Sequence, residues 1–417
     1  MSKKLSLCLV IAAMAFVLLS CSTGQQPAPE PQAPPADIGQ QPTPSTQPPT
    51  DPIVEQLGEM SLEDKLGQLM IVGLEGTSMQ EDARAMIKEH KIGGFILYKN
   101  NIASASATVE LLDELKTANL GNPAPLWLSV DQEGGKVSRM PQEFISLPSA
   151  REVAARADLD YAYGIGEALG AQIGSLGFNM NFAPVLDIDS NPDNPVIGDR
   201  AYGSTPDSVI ETGIAVMEGL QSQDVAAVVK HFPGHGDTSV DSHLDLPVVN
   251  KSLDELEAFE LLPFVEAIQQ QADAVMVAHL LIPALDEKLP ASLSYAVITG
   301  LLRDKLGYDG VVMTDDMTMG GIVKHYNIGE AAVQSILAGS DIVLVGHDTQ
   351  LQLQVLQALR ASAQSGQLSE ERIDESVYRV LKLKSRYSLQ DEVLRRVDTA
   401  AVNKQIQAVL GSTDKGE

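Results

Sequence analysis

The sequence predicts an α/β fold, a single (β/α)8 TIM-type barrel with C-terminal helices. Three observations carry this. Eight short runs rich in apolar and β-branched residues alternate with longer amphipathic segments. The runs extend over about 300 residues, the length that eight β/α units need. Polar and titratable residues stand at the C-terminal ends of many of the runs. Near-continuous apolar strands separated by helices mean a parallel sheet covered on both faces. A doubly wound open sheet is the rival arrangement. It would string those strand-end residues along an edge, whereas a closed barrel brings them to one mouth where they can meet.

In chain order the predicted strands are GQLMIVGL from Gly67, GGFILY from Gly93, LWLSVD from Leu126 and FNMNFAPVLDID from Phe178. VAAVVKHF from Val225, ADAVMVAHLL from Ala272, DGVVMTDD from Asp309 and SDIVLVGHD from Ser340 complete the set. The strand-end residues are Asp131, Asp187, Lys230, His231, His279, Asp315 and His347. Between the strands, SVIETGIAVMEGLQ and SLDELEAFELLPFVEAIQQ have helical spacing, and Ser252 with Glu255 forms a capping-box pattern at the head of the second. DTQLQLQVLQALRASAQ and EERIDESVYRVLKLKSRY would close the outer ring. The barrel domain is placed at residues 53–388, and a helical tail at 389–417.

Ahead of the barrel, residues 1–20 read as a signal peptide. Lys3 and Lys4 precede an apolar run too short for a comfortable membrane span. LLSC at Leu18–Cys21 resembles a bacterial lipobox, which implies a mature chain beginning at a lipidated Cys21. Residues 21–52 then form a tether: ten of the chain's 23 prolines lie between Ser22 and Pro52, with little to bury. The lipid would anchor the protein to the cell membrane on its extracytoplasmic side.

The net charge of −27 argues against nucleic acid as a partner, because phosphate contacts need patches of Lys and Arg. The acidity fits solubility better. Only one cysteine would remain after processing, so no intrachain disulfide can form.

Chemistry concentrates in KHFPGHGDTSVDSH, Lys230 to His243, which holds three of the chain's seven histidines. Its glycines are too few for a phosphate cradle of the Walker type. His231 and His235 have the i, i+4 spacing of a helical metal pair, but Pro233 and Gly234 oppose a helix there. Asp241 and His243 are one residue apart. In an extended or turn conformation the carboxylate can orient the imidazole and raise its pKa, which makes the pair a candidate general acid/base. Asp315 and Asp316 follow a strand directly. Neighbours on an extended chain point to opposite faces, so only one should face the mouth, as a nucleophile, a base or a metal ligand.

KHFPGHGDTSVDSH, together with DQEGGKVSRM, NFAPVLDI, VIGDRAYG and TDDMTM in that order, resembles the glycoside hydrolase family 3 β-N-acetylglucosaminidases of the peptidoglycan-recycling type. The resemblance runs from Ile53 to about Tyr387. It implies a retaining exo-β-N-acetylglucosaminidase that removes terminal N-acetylglucosamine from peptidoglycan fragments or related glycans. Asp315 would be the nucleophile that forms a covalent glycosyl-enzyme. His243 would be the acid/base on a mobile loop, with Asp241 as its partner. Asp131, Arg139, Arg200, Lys230 and His231 would hold the sugar. No cofactor and no metal are implied, the partner is a small carbohydrate, and the protein is expected to be a monomer. Lys136 stands where many relatives carry arginine, and Met317 replaces a common leucine. The scarcity of aromatics, 4% with Trp127 the one tryptophan, fits a pocket for one terminal sugar better than a stacked polysaccharide track.

Three other readings stay open on the residues. Asp187, Asp189 and the TDD run have the look of acidic clusters in chitinase-like enzymes, where the substrate's own acetamide attacks. A histidine acid/base repels phosphate less than a carboxylate does, so a β-glucosaminide phosphorylase is possible. An inactive cell-wall-binding lipoprotein is the reading from a different class.

Overall fold

The computed structural model describes residues 51–242 and 244–411. The signal peptide, Cys21, almost all of the tether and His243 therefore lie outside the described residues. Helix Pro52–Glu59 begins inside the segment assigned to the tether. Asp51 caps it by accepting from the Ile53 N–H at 2.9 Å, and proline suits a first helical position because its missing N–H would have no partner there.

Eight parallel strands pair in sequence order, and the eighth pairs with the first to close the barrel. They are β1 Met70–Gly73, β2 Gly94–Leu97, β3 Trp127–Val130, β4 Met180–Asn181, β5 Ala226–Phe232, β6 Ala274–Val277, β7 Val311–Asp316 and β8 Ile342–Val345. Every one falls inside a predicted run, and the open-sheet rival is excluded. The fourth is much shorter than predicted. Pro184 has no N–H to donate, so pairing after Asn181 continues only as an isolated bridge from Val185 to Lys230.

The side-chain alternation explains why the strands read as continuous apolar runs. Ile71, Val228, Met276, Met313 and Leu344 fill the barrel interior. Their neighbours Val72, Val229, Val277, Val312 and Val345 pack outward under the helices. Both faces are dry, so both must be apolar. Trp127 is fully buried in the interior layer and offers no stacking surface to a ligand. Helix Glu370–Arg386 closes the floor. Its Lys384 reaches Oε1 of Gln68 and the carbonyl of Pro125, both at 2.6 Å, and the carbonyl of Gly93 at 3.1 Å.

One predicted helix is two. Leu253–Ala258 carries the capping box at Ser252 and Glu255, and Leu262–Gln269 follows after a break. Pro263 cannot sit in a helix interior, where it would lose a hydrogen bond and strike the preceding turn, so it starts the second helix instead. Helices Pro206–Gln221, Thr349–Ser365 and Glu370–Arg386 stand where predicted, and Thr399–Gly411 packs on helix Leu159–Leu176.

Candidate active site

At the C-terminal ends of the strands lies a cavity of about 180 Å³. Asp131, Arg139, Arg200, Lys230, His231 and Asp315 all border it, along with Glu133, His235, Ser242, Tyr98 and Asp316. The predicted sugar-binding set and the predicted nucleophile thus open onto one space. A larger hollow of about 840 Å³ between Leu289 and Gln367 contains none of them.

Convergence at the mouth is incomplete. Asp187 and His279 are fully buried behind the lining, and His347 is exposed with its ring stacked 4.4 Å from Tyr98. Asp241 is not in the lining, although its neighbour Ser242 is. His243 lies outside the described residues.

A chain of charges forms one wall. Lys230 comes from β5 and is 2% exposed. Its Nζ meets Asp131 at 2.6 Å and Glu133 at 2.8 Å. The Arg200 guanidinium grips Glu133 with two bonds, of 2.8 and 2.7 Å. Burial alone would push the Glu133 carboxyl up, but Arg200 and Lys230 outweigh it and hold the group well below the usual carboxylate range. Burial disfavours the Lys230 charge, yet Asp131 and Glu133 raise its pKa on balance. Glu133, Arg200 and Lys230 therefore stay charged at neutral pH, and the donors of the wall are fixed before any ligand arrives. The Arg139 backbone is held by Gln132 at 2.9 Å, while its buried Nε has no hydrogen-bond partner among the described residues.

A second group centres on Asp187. Its Oδ2 meets His231 Nδ1 at 2.6 Å, and its Oδ1 accepts from the His235 N–H at 2.6 Å. The two imidazoles meet edge to face at 5.8 Å. Asp189 pairs with Arg151 instead. The two carboxylates are thus committed elsewhere and do not present the acidic pair of a chitinase-like site.

Both Asp315 and Asp316 border the cavity, against the expectation that one would turn away. Their tasks differ. Oδ1 of Asp316 accepts from the Gly346 N–H at 2.9 Å and from the N–H and hydroxyl of Thr318 at 2.9 and 2.8 Å. Its Oδ2 accepts from the Tyr98 hydroxyl at 3.0 Å. The chain turns immediately after Asp316 to make these bonds, so strict strand alternation ends there. A Cβ on Gly346 would lie 1.9 Å from the Tyr98 hydroxyl and 2.4 Å from Oδ2, so this junction needs glycine. Burial, then the Asp316 and Asp131 charges, push the Tyr98 hydroxyl well above its ordinary pKa and keep it a donor.

The segment after Asp237 is braced against the chain that follows β7. The Ser242 carbonyl accepts from the Gly321 N–H at 3.0 Å, and the Leu244 carbonyl from Lys324 at 2.5 Å. His325 meets Asp245 at 2.6 Å. Lys136 pairs with Asp199 at 2.6 Å, and Met317 is fully buried, as a packing residue should be.

Sequence reasoning left Glu133, Tyr98, Ser242 and Asp316 without roles and weighed His235 only as a metal ligand. Glu133 was within reach of it: a second acid two residues after Asp131, in a run with glycines, needs cations, and the site supplies two.

The family described as "Glycosyl hydrolase family 3 N terminal domain" matches residues 61–383. Beta-hexosaminidase A of Pseudoalteromonas piscicida is 34% identical over 334 residues, 74% of this chain and 56% of that protein. The chain therefore spans little more than half the length of that relative. Beta-hexosaminidase LpqI of Mycobacterium tuberculosis is 36% identical over 78% of this chain and 83% of its own length. Among solved structures, a glycoside hydrolase family 3 beta-N-acetylglucosaminidase from Paenibacillus sp. str. FPU-7 is 43% identical. It superposes with a TM-score of 0.79 over 84% of this chain and 68% of that one. A closed eight-stranded barrel, a charged cavity at its mouth and a match across most of its length lead to one conclusion: the chain belongs to glycosyl hydrolase family 3.

Proposed function

We propose that the protein is a retaining exo-β-N-acetylglucosaminidase acting on peptidoglycan fragments or related glycans. The observation that carries the reading is that Asp315 shares one small cavity with Asp131, Arg139, Arg200, Lys230 and His231. The carboxylate of Asp315 attacks the anomeric carbon of a terminal N-acetylglucosamine. The bond to the leaving oxygen breaks, and that oxygen takes a proton from His243. Water then attacks the glycosyl ester while His243 takes its proton back. Asp241 orients the His243 imidazole. Asp316 is the poorer nucleophile, because four donors already occupy its oxygens. Lys230, Arg200 and His231 serve as donors to sugar hydroxyls, and Asp131 as an acceptor.

The beta-hexosaminidase names of the relatives support the sugar. The lipobox-like LLSC supports lipidation at Cys21, membrane anchoring and an extracytoplasmic, cell-wall setting. The protein would work as a monomer. Incubation with a chromogenic N-acetylglucosaminide, with and without inorganic phosphate, tests the reading. Release of free N-acetylglucosamine in both cases supports it. Sugar 1-phosphate formed in the presence of phosphate would replace hydrolysis with phosphorolysis, and no release would leave a binding protein.

A further inference from the structure

His235 is 1% exposed and borders the cavity, yet the mechanism above gives it no task. Its Nδ1 lies 2.8 Å from the Thr238 hydroxyl and its Nε2 lies 3.0 Å from the Ser242 hydroxyl. When the Thr238 hydroxyl donates its one proton to the His235 carbonyl at 3.1 Å, it accepts from the ring, and Nδ1 carries the hydrogen. Burial, then the neighbouring His231, drive the ring's pKa down to about 4. The ring is neutral at working pH, its Nε2 is bare, and the Ser242 O–H donates to it.

Ser242 is thereby held at two points, by its hydroxyl on His235 and by its carbonyl on the Gly321 N–H at 3.0 Å. The residues on either side are Asp241 and His243. The His235 backbone, in turn, is tied to Asp187, the carboxylate that holds the His231 ring. We infer that His235 is a positioning residue for the acid/base segment, gripping Ser242 from the same buried carboxylate that orients the sugar-binding His231. The inference rests on the reading of Asp241 and His243 as the acid/base pair. Proton transfer to a leaving group requires the donor within hydrogen-bond reach, and small displacements there are costly. A merely structural grip would lower activity on every substrate alike. A grip that places the acid lowers it only where the leaving group needs a proton.

The test is kcat/KM across aryl N-acetylglucosaminides, from a dinitrophenyl leaving group to an unactivated phenyl one. Ser242→Ala deletes only the gripped hydroxyl. His235→Asn keeps a donor near Thr238 but cannot reach Ser242. Both should lose about 10- to 100-fold on the phenyl substrate, part of the range general acids supply, and less than about threefold on the dinitrophenyl one. Asp241→Ala is the control for the underlying reading. A steep leaving-group dependence in Asp241→Ala, with flat or unchanged series in Ser242→Ala and His235→Asn, overturns this inference alone. A flat Asp241→Ala series overturns the acid/base reading and this inference with it. Should His235→Asn fail to fold, the Ser242→Ala series decides.

Discussion

The Asp316 backbone N–H donates to Oδ1 of Asp315 across 2.8 Å, while the Asp316 side chain is saturated by bonds to Tyr98, Thr318 and Gly346. Two adjacent carboxylates on the end of β7 thus carry different duties. One is anchored into three neighbouring elements and holds the strand end rigid. The other is oriented by that anchor and borders the cavity where a sugar carbon would sit.

Asp315→Asn should therefore lower kcat by about a thousandfold or more, since it removes covalent catalysis. Asp316→Asn keeps an oxygen for the Gly346 and Thr318 donors and should cost about tenfold or less, because a neutral acceptor still takes those bonds. Steady-state rates on a chromogenic N-acetylglucosaminide check the pair. The reverse ranking would move the nucleophile to Asp316.

Glu133→Gln should raise KM about tenfold or more with a smaller change in kcat. The glutamine keeps the shape of the wall but withdraws the charge that fixes Lys230 and Arg200. Losing one member of a buried ion network also costs about 3 kcal/mol or more of stability. Michaelis profiles and thermal melts of the variant check both effects, and an unchanged KM would remove Glu133 from sugar binding.

The neutral His235 predicts an acid-side loss of stability. Its folded pKa is about 4, against about 6.5 in an unfolded chain. Between these values the unfolded state binds a proton that the folded state refuses, so stability rises with pH across that window and is level above it. As pH falls from 6.5 towards 4, the parent should lose up to about 1.4 kcal/mol per pH unit that His235→Asn does not lose. Melting temperatures at pH 4.5 and 7 should show the gap between parent and variant narrowing in acid. A constant gap would mean the ring titrates alike in the folded and unfolded chain.

The barrel was legible in the sequence because burial on both faces of a parallel sheet forces unbroken apolar runs, and each of β1 to β8 lies inside one. Asp131, Lys230, His231 and Asp315 were legible as neighbours because they stand at strand ends, which a barrel gathers together, whereas Arg139 and Arg200 lie beyond the strands and came only with the family resemblance. What stayed hidden depends on partners far away in the chain. Tyr98 and Asp316 meet across 218 residues, and only Gly346 makes room for them. Asp187 reads as one more acid at a strand end until β5 brings His231 and His235 onto it. The split at Pro263 was readable and was overridden by the apolar periodicity on either side.

The most direct test of the account is to trap the enzyme with a 5-fluoro N-acetylglucosaminyl fluoride and map the modified peptide by mass spectrometry. One covalent sugar on Asp315 is the predicted result. A label on any other side chain, or steady turnover of substrate with no covalent species formed, would contradict it.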